Sequence, residues 1–129
     1  MIVAIGIDLV EIDRIEAVFK RRGDRFRDRV FTDQEIGYCE NRSSRFASYA
    51  ARFAAKEAVM KALGTGWSDG IGWRDVEVVA GNSGAPTIQL HRRALERLRE
   101  IGAERAHVSL THSGNLAIAQ VILEDDSKR

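Results

Sequence analysis

The chain has few of the residues that announce a structural framework or a common cofactor site. Cys39 is the only cysteine, which excludes an internal disulfide and a zinc-type cysteine cluster and fits a reducing, cytoplasmic setting. Pro86 is the only proline, and it closes the turn cluster Gly81-Asn82-Ser83-Gly84-Ala85-Pro86. No apolar run reaches the roughly 18–20 residues that span a bilayer. The apolar N-terminus, MIVAIGIDLVEID, has no basic n-region and meets acids where a signal peptide carries its cleavage site, so it reads as part of the fold. Neither sign of charge dominates: 20 Lys and Arg face 19 Asp and Glu, a formal net charge of +1, and the protein as a whole is no polycation. HExxH, Walker A, GxSxG and GxGxxG patterns are all missing, as are internal repeats and low-complexity segments.

What is there is a chain of 129 residues, 44% hydrophobic and 30% charged, the balance of a globular protein with a real core. The reading is one domain over 1–123 followed by a polar, frayed tail over 124–129. Met1–Val10 is rich in β-branched residues and reads as a strand buried on both faces. Ile12, Ile15, Val18 and Phe19 then recur at helical spacing. Six basic residues crowd Lys20–Arg29 against Asp24 and Asp28, leaving the remainder of the chain slightly acidic. Such a run is a solvated face or a docking surface for an acidic partner. Thr32-Asp33-Gln34-Glu35 has the form of a capping box and starts a short helix to about Glu40. Ser43 or Ser44 caps the long helix that Gly64-Thr65-Gly66 ends. Two hairpins follow, one through the Pro86 turn and one through Ser113-Gly114-Asn115, with a helix over His91–Ile101 between them.

The long helix sorts its side chains unusually. At about 100° per residue, Phe46, Ala50, Phe53 and Ala54 share a face, and Glu57 and Lys61 fall inside that apolar stripe. A carboxylate and an ammonium there cost desolvation energy unless something nearby needs them. Arg45, Arg52 and Lys56 form a second stripe, whose plain reading is a solvated basic edge. Asp8 sits among apolar residues at a strand end, either turned to solvent as a cap or held for a purpose. Thr111-His112-Ser113 lies at a hairpin turn.

Two carboxylates from different elements suit Mg²⁺, which takes hard oxygen ligands and fills its octahedron with water and substrate phosphates. A lysine one turn away stabilises or protonates an anionic leaving group. A turn histidine donates to phosphate or moves a proton. The chemistry is a Mg²⁺-assisted reaction on a phosphate-containing substrate.

Gly6-Ile7-Asp8 and the helix segment Phe53-Ala54-Ala55-Lys56-Glu57-Ala58-Val59-Met60-Lys61 resemble the bipartite signature of 4′-phosphopantetheinyl transferases, G-(hydrophobic)-D and (W/F)-x-x-K-E-(A/S)-x-x-K. Ala62-Leu63-Gly64-Thr65-Gly66, Leu110-Thr111-His112-Ser113 and the short length are similar to the small single-repeat group serving bacterial fatty-acid synthesis. The resemblance runs from about Ile2 to Val121. It implies an α+β fold, a mostly antiparallel small sheet packed against a long central helix and shorter helices. It also implies transfer of the phosphopantetheine arm of coenzyme A to a serine of apo-acyl carrier protein, with adenosine 3′,5′-bisphosphate as the second product. Asp8, Glu57 and Lys61 would be catalytic, with Mg²⁺ held by Asp8 and Glu57. Arg45, Arg52, Phe53, Gly64, Thr65, Gly66, Ser83, Gly84, Pro86, Thr111 and His112 would bind coenzyme A. Arg14, Arg21, Arg22 and Arg25 would receive the acidic carrier, and the protein would be a homotrimer with each site between two subunits. Val10 stands where larger relatives have a third acid, and Ala85 where many relatives are basic. The rival readings are a non-enzymatic module that grips a nucleic acid or acidic protein through Arg14–Arg29, and a Mg²⁺-dependent phosphodiesterase.

Overall fold

A computed structural model describes residues 1–126 of the chain. In chain order the elements are β1 (Ile2–Glu11), α1 (Ile12–Arg22), α2 (Asp24–Val30), α3 (Asp33–Glu40), α4 (Arg45–Leu63), a single 3-10 turn (Trp73–Asp75), β2 (Val76–Ala80), β3 (Pro86–Leu90), α5 (Arg92–Glu100), β4 (Arg105–Ser113) and β5 (Leu116–Glu124). The strands form an antiparallel three-stranded sheet, β1-β5-β4, and an antiparallel hairpin, β2-β3. This is the expected α+β arrangement, and α4 is its centre.

Small side chains explain why α4 sits there. Ala50, Ala51, Ala54, Ala55 and Ala58 are buried, and the sheet answers with Ala117, Ala119, Val121 and Leu123 of β5. The closest approach is at Gly6 of β1, where an added Cβ would stand 1.9 Å from the Ala58 carbonyl oxygen. Only glycine lets helix and strand meet that closely. Gly64 closes α4 in the left-handed conformation, its N–H donating to the carbonyls of Met60 and Lys61. Arg97 of α5 adds a second cap, its Nε donating to the Leu63 carbonyl at 3.0 Å.

α1, α2 and α3 pack on the remaining side of α4. Ile15, Phe19, Val30, Phe31 and Cys39 join Tyr49 and Ala50 in a second cluster, with Phe19 and Phe31 against the Tyr49 ring. The first amides of α1 are taken by Asn115 in the β4–β5 turn: Ile12 N–H donates to its carbonyl and Asp13 N–H to its side chain. The Thr32/Glu35 capping box is present at α3. Ser44 stands at the N-cap of α4 without a side-chain hydrogen bond.

One expectation is corrected. β1 is not buried on both faces. Gly6 and its alternating neighbours turn to α4, whereas Ile5, Ile7 and Leu9 point outward at 56%, 57% and 53% exposure. In β2, Glu77 is buried, accepting from Thr32 Oγ1 at 2.6 Å and pairing with His91 at 3.0 Å. At the end of the described residues Glu124 closes β5, Asp125 pairs with the N-terminal ammonium, and Asp126 pairs with Arg105. Residues 127–129 lie outside the described residues.

Candidate active site

The close approach at Gly6 brings Asp8, two residues along the same face of β1, against the last turns of α4. Lys61 donates to Asp8 Oδ1 at 2.8 Å and to the Ile7 carbonyl at 3.0 Å. Glu57, one turn earlier, is half-buried beside them, and its carboxyl is held above the ordinary glutamate range. Burial is the main cause and the nearby Asp8 charge adds to it; the Trp67 indole N–H, which lies near the carboxyl without a hydrogen bond to it, and the Lys61 charge oppose it. The Lys61 ammonium is raised by its hydrogen bond to Asp8 and by that carboxylate's charge. Two neighbouring carboxylates that repel each other therefore share an edge with one cation. Lys61 is 55% exposed, so this cluster lies open to solvent beside the outward face of β1.

The expectation of a charged pair inside an apolar stripe is thus half right. The wholly buried charge is Lys56, which belongs to the stripe read as a basic edge. It is 0% exposed and pairs at 2.9 Å with Glu35, also 0% exposed. Arg52 on the same stripe is buried too. The reason is that α4 is covered all round, by the sheet on one side and by α1, α3 and β2 on the other, so the helix has no solvent edge along its middle.

Arg52 lies in a cleft of about 640 Å³ between the first half of α4, the C-terminal end of α3, the β2–β3 turn and the end of β4. Its guanidinium stacks 4.0 Å over the Tyr38 ring and donates to Ser48 Oγ at 3.2 Å. Its Nε is buried without a hydrogen-bond partner. A fixed cation with an unused donor on a polar cleft is a ready anion site. Gly84, Pro86, Thr111 and His112 line the same cleft, and Tyr38, Asn41, Arg42 and Ser48, which were not foreseen, line it with them.

Other candidates fall elsewhere. Arg45 turns away to Glu40, at 3.1 Å, and over the Phe46 ring. Phe53 lines a separate groove of about 830 Å³ with Trp73, Phe26, Arg21, Arg22, Arg25 and Arg29. Arg14 is exposed on α1. Ser83 stays within its own turn, its Oγ accepting from Ala85 N–H. Gly64, Thr65 and Gly66 follow Lys61 at the end of α4 and do not line the cleft. The carboxylate edge does not line the Arg52 cleft and stands two strands from it: Asp8 pairs across to Ala119 of β5, and Ala119 to Leu110 of β4, which lines the cleft.

Comparison with known proteins agrees with this geometry. The family model of the 4′-phosphopantetheinyl transferase superfamily matches residues 4–121, and the chain belongs to that family. A holo-[acyl-carrier-protein] synthase of Methylorubrum extorquens (strain PA1) is 54% identical over 128 residues, covering 96% of this chain and 94% of its own. Among solved structures, the Helicobacter pylori holo-[acyl-carrier-protein] synthase in complex with coenzyme A superposes with a TM-score of 0.82 at 32% identity, covering 93% of this chain and 99% of its own. The Bacillus anthracis enzyme, in complex with CoA (3′,5′-ADP), gives 0.79 at 35% identity over 98% and 99%. The chain has no helix long and apolar enough to cross a membrane among its described residues.

Proposed function

We infer that this chain is a phosphopantetheinyl transferase that moves the 4′-phosphopantetheine arm of coenzyme A onto a serine of apo-acyl carrier protein. The observation that carries the reading is the meeting of Asp8 with Lys61 beside Glu57, made possible by the helix–strand contact at Gly6. In the reaction the serine Oγ bonds to the pantetheine-bearing phosphorus, and the bond from that phosphorus to the bridging oxygen breaks. Adenosine 3′,5′-bisphosphate leaves with the bonding electron pair. The serine proton passes to Glu57, directly or through one water, and a carboxyl whose affinity for protons is already raised suits that task. Lys61, raised and therefore a reluctant proton donor, neutralises the charge that grows on the departing phosphate.

The donor set fits Mg²⁺. Asp8 already holds a cation, the Lys61 ammonium, and the repulsion between Asp8 and Glu57 is of the kind a divalent ion relieves. Among the described residues no three metal-binding side chains converge, so water and the pyrophosphate oxygens would complete the shell. When bound, the ion supplies positive charge to the pyrophosphate. The Arg52 cleft suits a phosphate of the nucleotide half, with His112 and Thr111 on its wall. The basic groove of Arg21, Arg22 and Arg25, with Arg14 beside it on α1, suits an acidic carrier and would steer its approach. The outward apolar residues of β1 suit a second copy of the chain, and a homotrimer would place one copy's cleft against another's carboxylate edge. A cytoplasmic setting and service to fatty-acid synthesis follow from the same reading.

Chromatographic assay of adenosine 3′,5′-bisphosphate tests it. Release from coenzyme A that requires Mg²⁺ and apo-acyl carrier protein together is the expected result. Release independent of the carrier would mean hydrolysis and would overturn the transferase reading.

A further inference from the structure

The Lys56–Glu35 pair takes no part in the mechanism above, yet it is the most enclosed charged pair among the described residues. The Lys56 ammonium meets Glu35 Oε1 at 2.9 Å, donates to the Trp73 carbonyl at 3.2 Å and to that of Val76, and lies 5.7 Å from the Phe31 ring centre. Glu35 is fixed in turn by the backbone N–H groups of Thr32 and Val78, each at 2.8 Å. Packing alone does not require this, because a buried ion pair is commonly replaceable by apolar residues without loss of stability. What the ammonium does hold is the backbone on either side of the Trp73–Asp75 turn.

The side chain of that turn reaches the site. The Trp73 ring stacks on Phe53 at 5.0 Å and contacts Trp67 at 3.7 Å between centroids. Trp67 borders Glu57, and its indole Nε1 is buried without a hydrogen-bond partner. Trp67 itself stands in an irregular segment between α4 and the turn that contains Gly64, Gly66, Gly70 and Gly72, so the local backbone gives it little stiffness. We propose that Lys56 is a positioning residue: by tying α4 to the Trp73 turn it sets the Trp73–Trp67 pair as a fixed wall against Glu57. The inference rests on the reading that Glu57 acts in transfer.

The test uses the full chain and its two tryptophans, Trp67 and Trp73. Glu35→Gln/Lys56→Met removes both charges of the pair together and leaves Glu77 its hydrogen bonds to Thr32 and His91. The expected result is a native far-UV circular dichroism spectrum, a changed near-UV tryptophan signal, and a kcat lower by on the order of tenfold. The KM for the carrier should stay within about twofold. A folded double variant with native kcat, or with a native near-UV signal, overturns the proposal. Trp67→Phe leaves the lock intact and should lower kcat comparably; full activity in that variant overturns the proposal even if the double variant does not fold. Glu57→Gln separates the two levels. It should keep the native near-UV signal while losing transfer, and an active Glu57→Gln would overturn the assigned role of Glu57 rather than the wall itself.

Discussion

Gly6 and Lys61 act at the scale of single atoms. At Gly6 a methyl group would have to occupy space within 1.9 Å of the Ala58 carbonyl oxygen, which is helix backbone and cannot swing aside. Gly6→Ala should therefore lift α4 from β1, cost about 1–3 kcal/mol, and part Asp8 from Glu57. Thermal denaturation reads the first effect and the transfer rate the second; an Ala variant of native stability would show that the contact is looser than described. Lys61 is the opposite case. Its pair with Asp8 is exposed, so Lys61→Ala should leave the melting temperature unchanged while lowering kcat on the order of a hundredfold. A large drop in melting temperature would make Lys61 a structural residue instead.

At the scale of elements, α4 is core and carries the proposed chemistry, which is why some of it was legible and some not. Its ends, its apolar periodicity and the placing of Glu57 and Lys61 one turn apart follow from spacing and from the glycines after Leu63. Lys56 and Arg52 did not. A helical wheel assumes one wet side, and α4 has none along its middle because three-dimensional neighbours cover the stripe that arithmetic gives to solvent. Glu35 was legible only as the partner of Thr32 in a capping box; its bonds to Lys56 and Val78 depend on elements tens of residues away. Glu77 joins α3, β2 and the start of α5 in the same hidden way. Burial alone would raise its carboxyl, but the hydrogen bonds from Thr32 and His91 win and hold it below the 4.5 of an ordinary glutamate. The unfolded chain then binds the proton more readily, so this contribution is complete above that range and is lost as pH falls through the lowered value. Denaturant titration of Glu77→Gln should show a stability deficit at neutral pH that closes in acid; an equal deficit at both would assign the effect to packing.

At the scale of the whole molecule the sheet has one finished face and one unfinished one. Ile5, Ile7 and Leu9, with Leu116 of β5, leave a row of large apolar side chains exposed beside the carboxylate edge. Residue type does not tell this face from a buried one, because both are made of the same residues; only the packing of β1 on α4 divides them. If a second copy covers the face and completes the site, Ile7→Glu should turn the assembly into monomers in a sedimentation measurement and abolish transfer. A monomeric variant with full activity would detach assembly from catalysis. The claim underneath all of these is transfer by the Asp8–Glu57–Lys61 edge, and the mass of the carrier tests it most directly. After incubation of apo-acyl carrier protein with coenzyme A, Mg²⁺ and the wild-type chain, intact mass spectrometry should find one phosphopantetheine added at the carrier serine, and none with Glu57→Gln. An unmodified carrier with the wild-type chain, or a fully modified one with Glu57→Gln, would contradict the account.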